Sequence, residues 1–308
     1  MTKKNFLGVF GHVALDTICS VRRFPKPNTC EAVLARRIEY GGTAGNLAIF
    51  AASLGVKTAL GSFVGDDFPP AYRNKLEKAG IDLTNLIEVK GERTSSIIMV
   101  SDGLHQQIGY VDQGVMLKQD RMKLLSHAID SARIVHVGTG RPGYARKICK
   151  YANENGKVVA FDPAQEIHYV YDAVEFSKVI RQAHIFFCNE SELKVALDYL
   201  DMNKPEDLLG VVDTVIITLG KRGSRILQDG QDEINIPPCK PKRIVDTTGA
   251  GDAYRAGFYA GLDHGFGMEK CGVIASAAAS FAVENFGGQT NPPSREDVWK
   301  RAFGGSTA

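Results

Sequence analysis

The sequence predicts an α/β protein built on a mostly parallel sheet covered by helices on both faces, with a second, small β-sheet outside it. Three observations carry this expectation. Short apolar runs alternate with helix-length amphipathic segments along most of the chain. Two stretches, approximately 13–40 and 94–112, interrupt that rhythm with extended patterns. At 308 residues and 44% hydrophobic content, the chain can bury a large core as a single unit over 1–308.

In order, "NFLGVFG" at 5–11 reads as a strand, "TAGNLAIFAASLG" at 43–55 as a helix closed by Gly55, and "TALGSFVG" at 58–65 as a strand, with a helix across 68–79. The rhythm returns with "ARIVHVG" at 132–138, a helix across 144–154, "KVVAFD" at 157–162, a helix around 172–182 and "HIFFC" at 184–188. A helix across 190–200 and the strand "DTVIITLG" at 213–220 follow. Strands flanked by helices pair in parallel, and ligands of such sheets sit beyond the C-terminal strand ends. Near the C-terminus, 268–287 reads as a small-residue helix suited to close packing, and "SREDVWKRAF" at 294–303 as a capped helix with Trp299 as a packing residue. Of the interrupting regions, Val13–Tyr40 carries two extended stretches around "FPKPN", and Thr94–Asp112 reads as a hairpin turning at Asp102-Gly103. They are either ordinary edge hairpins or a discontinuous lid whose apolar face needs a partner, the substrate or another subunit.

Composition narrows the function classes. The 37 Lys and Arg against 35 Asp and Glu leave +2 with no charged block, so nucleic acid is not expected as a partner. No stretch of about 18 apolar residues occurs, and the apolar run near the N-terminus is too short for a signal peptide, so neither membrane insertion nor export is expected. Six scattered cysteines without a Cys-x-x-Cys pair argue against a disulfide framework or structural zinc and point to a reducing cytoplasm.

The most specific motif is "DTTGAGDAYRAGF" at 246–258. Gly249 and Gly251, on either side of Ala250, let backbone N–H groups of residues 249–252 converge at a helix start, where unpaired donors and the helix field favour an anion. An acid beside a bound phosphate is repelled unless a hydroxyl lies between them. Asp252 is therefore either a helix-capping acid or the base that takes the proton of a hydroxyl attacking a γ-phosphate. "GHVALD" and "YGGTAGN" place Asp16, Gly41, Gly42 and Asn46 where a carboxylate, an amide and unhindered backbone can bracket a diol. "FFCNESE" places Asn189 and Glu192 three apart, read equally as a capping box or as oxygen donors near a hydrated Mg²⁺. After "VIITLG", Gly220 and Gly223, with Thr218 just before them, offer a surface for a nucleotide or a plain turn.

Other signals are weaker. "GVKTALG" at 55–61 is no Walker A loop. Gly138-x-Gly140-x-x-Gly143 follows a strand, with Asp162 ending the next one, and so matches a dinucleotide fingerprint that would make the protein an NAD-dependent oxidoreductase. Its plainer reading is a turn lining a cleft. Gln107, Arg141 and Gln165 are candidates near an acceptor substrate, His12 and His105 face either a ligand or solvent, and His136 and His184 read as core.

"GGTAGN" followed by "NESE" and "DTTGAGDAYRAGF" resembles the ribokinase-like (PfkB) carbohydrate and nucleoside kinases over nearly the whole chain. With "FPKPNT", "FDPAQE", "EKCG" and "GGQTNPP", the sequence looks most like the archaeal nucleoside kinases of that family. The resemblance implies a ribokinase-like three-layer fold with a β lid, often packed against the lid of a second subunit as a homodimer. It further implies ATP and Mg²⁺, with Asp252 as base, 249–251 as anion hole, Asn189 and Glu192 around the metal and phosphates, and Asp16, Gly42 and Asn46 on ribose hydroxyls. A monovalent cation such as K⁺ near Asp246 and 287–289 is a further implication. The expected reaction is γ-phosphate transfer to a nucleoside 5′-hydroxyl, with a sugar kinase as the alternative.

Overall fold

A computed structural model describes residues 4–104 and 106–304. The chain runs β1 (Leu7–Phe10), β2 (Ala14–Val21), β3 (Val33–Gly41), α1 (Thr43–Ser53), β4 (Thr58–Gly65), α2 (Pro70–Lys78), β5 (Asp82–Val89), β6 (Ser95–Ser101) and β7 (Gln107–Asp112). It continues through α3 (Ser126–Asp130), β8 (Ile134–Val137), α4 (Pro142–Glu154), β9 (Val158–Phe161), α5 (Ala173–Ile180), β10 (Ile185–Asn189), α6 (Glu190–Leu200) and β11 (Thr214–Thr218). The last elements are β12 (Ser224–Gln228), β13 (Ile234–Ile236), α7 (Ala250–Asp263), α8 (Met268–Ala282) and α9 (Arg295–Phe303).

Nine strands form the main sheet in the order β13-β12-β11-β10-β9-β8-β1-β4-β5. All pairs from β11 to β5 are parallel, and β12 and β13 add an antiparallel edge. The parallel strands are near-continuously apolar, as strands covered on both faces must be: β1, β4 and β8 are buried throughout. One hydrophobic cluster joins the sheet to α1, α2, α7, α8 and α9, and a second joins its other face to α3, α4, α5 and α6. This makes three layers. Buried Ala256, Ala260, Ala275 and Ala278 allow α7 and α8 to lie close together. The capping box Ser294/Asp297 starts α9, and Trp299 packs at 5.2 Å from the His264 ring.

The sheet's switch point lies between β1 and β8, because the chain builds outward from β1 through β4 to β5 and returns to β8 on the other side. Asp162 just after β9, Asn189 at the end of β10 and Thr218 at the end of β11 fall on that C-terminal edge. Strand β5 and the β12–β13 hairpin are additions to the order read from the sequence.

A separate four-stranded sheet has the order β3-β2-β6-β7. Side chains alternate across it: Asp16, Ile18, Glu39, Ile97 and Met99 face a cavity over the switch point, while Ile38, Ile98 and Tyr110 point away and are 60%, 47% and 62% exposed. Thr17 pairs with both Ile38 and Ile98, and Ile98 with Tyr110, so this outer row crosses all four strands. No helix among the described residues is long and apolar enough to cross a membrane, and the six cysteines are free.

Candidate active site

The start of α7 is set by Gly249, whose φ of 76° is left-handed and whose site leaves no room for a side chain, since a Cβ would lie 2.7 Å from Gly288 Cα. No side chain caps this helix, and Asp252 sits in its first turn. Of the expected cradle at 249–252, Ala250 N–H is already directed to the Thr247 carbonyl at 3.2 Å. Asp246 braces the approach: Oδ1 accepts from Thr248 N–H at 3.0 Å and its hydroxyl at 2.8 Å, and Oδ2 accepts from Gly287 N–H at 2.9 Å. Gln289 turns away and donates to the Tyr72 hydroxyl at 2.5 Å.

Two large cavities meet at this helix start. The first, of about 530 Å³, lies under the small sheet and is lined by Asp16, Gly42, Asn46, Gln165, Gly249 and Asp252, among others. The second, of about 450 Å³, is lined by Thr218, Gly220, Gly223, Ala250, Gly251 and Tyr254, among others. Thus the segment 247–252 is a shared wall, with the Asp252 carboxylate on one side and the Ala250-Gly251 backbone on the other. Gly41 ends β3 with its carbonyl held by the Tyr72 hydroxyl at 2.8 Å. Gly42, at φ 85°, then turns into α1, and a Cβ there would strike His12 O at 2.4 Å.

Inside the first cavity, Asn46 Nδ2 donates to Asp252 Oδ2 at 2.8 Å. Asn46 Oδ1 and Asp16 Oδ1 are buried without a hydrogen-bond partner among the described residues. Buried acceptors are costly to leave unmet, so this wall is built to receive donors. Burial, and then the charges of Asp252 and Glu39, push Asp16 up to about 7. Burial also raises Asp252, to about 6, against the opposing pull of Arg255 and the Asn46 hydrogen bond. Arg255, three residues on, is a site residue the sequence reading missed; its i,i+3 spacing from Asp252 on a helix is the signal that could have found it.

Asn189 and Glu192 realise the capping box. Asn189 Oδ1 accepts from Ser191 and Glu192 N–H at 2.8 and 2.9 Å, and Glu192 Oε2 accepts from Asn189 N–H at 2.8 Å. Glu192 is buried, which raises its carboxyl with help from Asp162 and against Arg255. Only its Oε1 is left for a metal. No group of three His, Cys, Asp or Glu among the described residues could hold a metal ion alone, so a divalent ion here would depend on ligand phosphates and water.

The glycine turn at 138–143 is not a dinucleotide cradle. Gly140 N–H is bound by Glu166 Oε2 at 2.5 Å and Arg141 N–H by Gln119 Oε1 at 2.9 Å, while the Asp120 carboxylate lies against Gly143. Two side chains fill the donors a pyrophosphate would need and an acid faces the helix start, so the oxidoreductase reading is withdrawn. Asp162 binds Arg255 instead of facing a ribose site. The Arg141 guanidinium lies 3.7 Å from Asp120 and is not among the residues lining either large cavity. His12 is buried, bonded to Thr139 Oγ1 and Gln113 Oε1 at 2.8 Å each. It lines, with Gln165, a recess of about 40 Å³ beside the first cavity. His136 is a core residue hydrogen-bonded to Tyr259 at 2.8 Å. His184, half-buried, accepts from Val159 N–H at 3.0 Å. His105 and the Gln107 side chain lie outside the described residues.

Residues 4–295 match the pfkB family of carbohydrate kinases. The nucleoside kinase of Methanothermobacter thermautotrophicus is 37% identical over 98% of this chain and 96% of its own. The crystal structure of Methanocaldococcus jannaschii nucleoside kinase, a ribokinase-family member, superposes with a TM-score of 0.90 at 34% identity, covering 97% of this chain and 98% of the other. Burkholderia thailandensis nucleoside kinase in complex with inosine superposes at 0.86 with 25% identity, over 97% of each chain. With a family match spanning nearly its whole length and a shared α7 wall between two cavities, the chain belongs to the pfkB family of ATP-using carbohydrate kinases, within the ribokinase-like fold.

Proposed function

We propose that this protein transfers the γ-phosphate of ATP to the 5′-hydroxyl of a ribonucleoside. The observation that carries the reading is the common wall: Asp252 faces one cavity, and the uncapped start of its helix faces the other. Full-length similarity to nucleoside kinases, one of them solved with inosine, supports a nucleoside as the acceptor.

In this reading the first cavity holds the nucleoside. Asp16 and Asn46 offer the unpartnered Oδ1 atoms to the ribose hydroxyls beside Gly41 and Gly42, with Gln165 toward the base. Gln107 remains a secondary candidate for the acceptor substrate. The second cavity holds ATP against Thr218, Gly220 and Gly223. The 5′-hydroxyl gives its proton to Asp252 as its oxygen attacks the γ-phosphorus, and ADP leaves on the opposite side. Charge on the transferring oxygens meets the helix start at Gly249, Ala250 and Gly251. Asn189 and Glu192, the latter through its remaining Oε1, are the residues that would hold a hydrated Mg²⁺, which would neutralise part of the phosphate charge. Asp246 and the 287–288 backbone are the donors proposed for a monovalent cation.

The small sheet acts as a lid over the nucleoside cavity, and its exposed row Ile38, Ile98 and Tyr110 is the surface for a second subunit. A cytoplasmic setting fits the free cysteines.

ADP release with ATP and Mg²⁺ against inosine, guanosine, cytidine, adenosine, ribose and fructose tests the assignment. Turnover on at least one nucleoside well above either sugar is expected. Turnover confined to the sugars removes the nucleoside.

A further inference from the structure

Arg255 sits on the second turn of α7 with its side chain only 12% exposed, between two acids that are at least as enclosed. On one side its Nη2 donates to Asp162 Oδ1 at 2.9 Å, and Nε also faces Asp162, at the end of β9. On the other, Nη1 lies 3.7 Å from Asp252 Oδ1, inside ion-pair range but beyond a hydrogen bond. Asp252 Oδ2 is taken by Asn46, while Oδ1 accepts no hydrogen bond among the described residues. The base therefore has one oxygen fixed by an amide and the other left open next to a positive charge that stops short of it.

That distance has a cause. A free guanidinium three residues along a helix from a carboxylate would close to a direct fork–fork pair and occupy the oxygen a substrate proton must reach. Asp162 holds the fork from behind. We infer that Arg255 is a positioning residue for the phosphoryl transfer, tethered by Asp162 so that it holds the Asp252 carboxylate charged and aimed without occupying its accepting oxygen. This rests on Asp252 being the base. The fold alone does not account for the arrangement, because a buried apolar pair in place of Arg255 and Asp162 would close the core at no electrostatic cost.

The charged groups facing Asp252 are Arg255 on its own helix, Asp162 at the end of β9, Glu192 at the start of α6 and Asp16 on β2. Arg255 is the only cation among them, so its loss and its release have opposite effects on the base.

The test measures kcat, KM for nucleoside and ATP, the acid limb of the kcat profile and Tm, in the full chain. Arg255→Gln combined with Asp162→Asn removes both buried charges and so preserves folding. Expected is a Tm near that of the wild type, kcat lower by about 10–100-fold with KM within about 3-fold, and an acid limb moved to higher pH. Asp162→Asn alone frees the guanidinium to close on Asp252. It is expected to lower kcat while moving the limb to lower pH. Arg255→Lys keeps the charge but not the two-sided hold; a several-fold lower kcat with the limb in place is expected. Wild-type kcat in the double variant, limbs that move together in the double and single variants, or an unchanged Arg255→Lys enzyme would each overturn the inference. Asp252→Asn, run alongside, separates the two readings: if that variant turns over normally, the base assignment itself fails, whereas an inactive Asp252→Asn beside a wild-type double variant rejects the Arg255 role alone.

Discussion

Asn46 Nδ2 and Asp252 Oδ2 are joined at 2.8 Å across 206 positions of sequence, linking the start of α1 to the start of α7. The residue expected to hold the ribose thus also orients the carboxylate that would take its proton. Asn46→Ala removes both contacts and leaves Asp252 turning more freely, so kcat is expected to fall by about 10–100-fold and KM for the nucleoside to rise. Initial rates over a substrate grid check this, and a change confined to KM would leave Asn46 as a ribose contact only.

The two acids of the cavity proposed for the nucleoside are expected to set the pH behaviour. Asp252 must be ionised to accept a proton and is raised to about 6 by burial, so kcat is expected to decline as pH drops through that region. Asp16, raised to about 7 by burial and by Asp252, repels that base. Because Asp16 is largely protonated where Asp252 titrates, Asp16→Asn should leave the acid limb nearly in place. It should also stabilise the ligand-free protein. A carboxyl raised on folding keeps its proton in the native state while the unfolded chain ionises, so stability is lost progressively from about pH 4 to about 7 and none is lost below about pH 4. An increase of roughly 1–3 kcal/mol in unfolding free energy at pH 8, vanishing near pH 4, is expected from denaturant titrations of Asp16→Asn against wild type.

Two glycines of the proposed anion hole separate backbone from electrostatics. At Gly249 a side chain meets both a left-handed backbone and Gly288 Cα at 2.7 Å, so Gly249→Ala is expected to cost about 2 kcal/mol or more of stability together with activity. At Gly251 the nearest atom to a Cβ is Arg255 Nη1 at 2.6 Å, the tip of a long side chain. Gly251→Ala should keep Tm within a few degrees and lower kcat by displacing the guanidinium. Calorimetry beside kinetics decides, and equal losses of Tm in the two variants would count against this division.

The outer row of the small sheet is expected to pair subunits. Replacing Ile98, in the middle strands and 47% exposed, by Glu puts a charge into an apolar contact and should convert a dimer to monomers in sedimentation velocity. A wild-type protein that is monomeric at all concentrations assigns this face to something else.

What the sequence disclosed follows physical range. Elements with their own period or caps were legible almost to the residue: β4 spans Thr58–Gly65, α6 spans Glu190–Leu200, and Asn189 and Glu192 form the box their spacing suggested. Strand β5, "DLTNLIEV", was not, because it is half exposed at a sheet edge and its identity comes from pairing with β4. The glycine signatures pointed to the helix start, yet the Asp162–Arg255–Asp252 chain and the Tyr72–Gln289 contact depend on residues 93 and 217 positions apart and leave no local pattern. The fingerprint at 138–143 misled for the same reason: its donors are filled by Glu166 and Gln119, which only the fold brings there.

The most direct measurement is single-turnover phosphorylation by Asp252→Asn, with ATP and nucleoside affinities determined separately. The substitution keeps the shape and the neighbours of the side chain while removing its proton affinity. Binding of both substrates within a few-fold of wild type and a chemical step slower by about 10³-fold or more are the results expected of a base in the transition state. A chemical step within about 10-fold of wild type would contradict the assignment of Asp252 and, with it, the mechanism built on the shared wall.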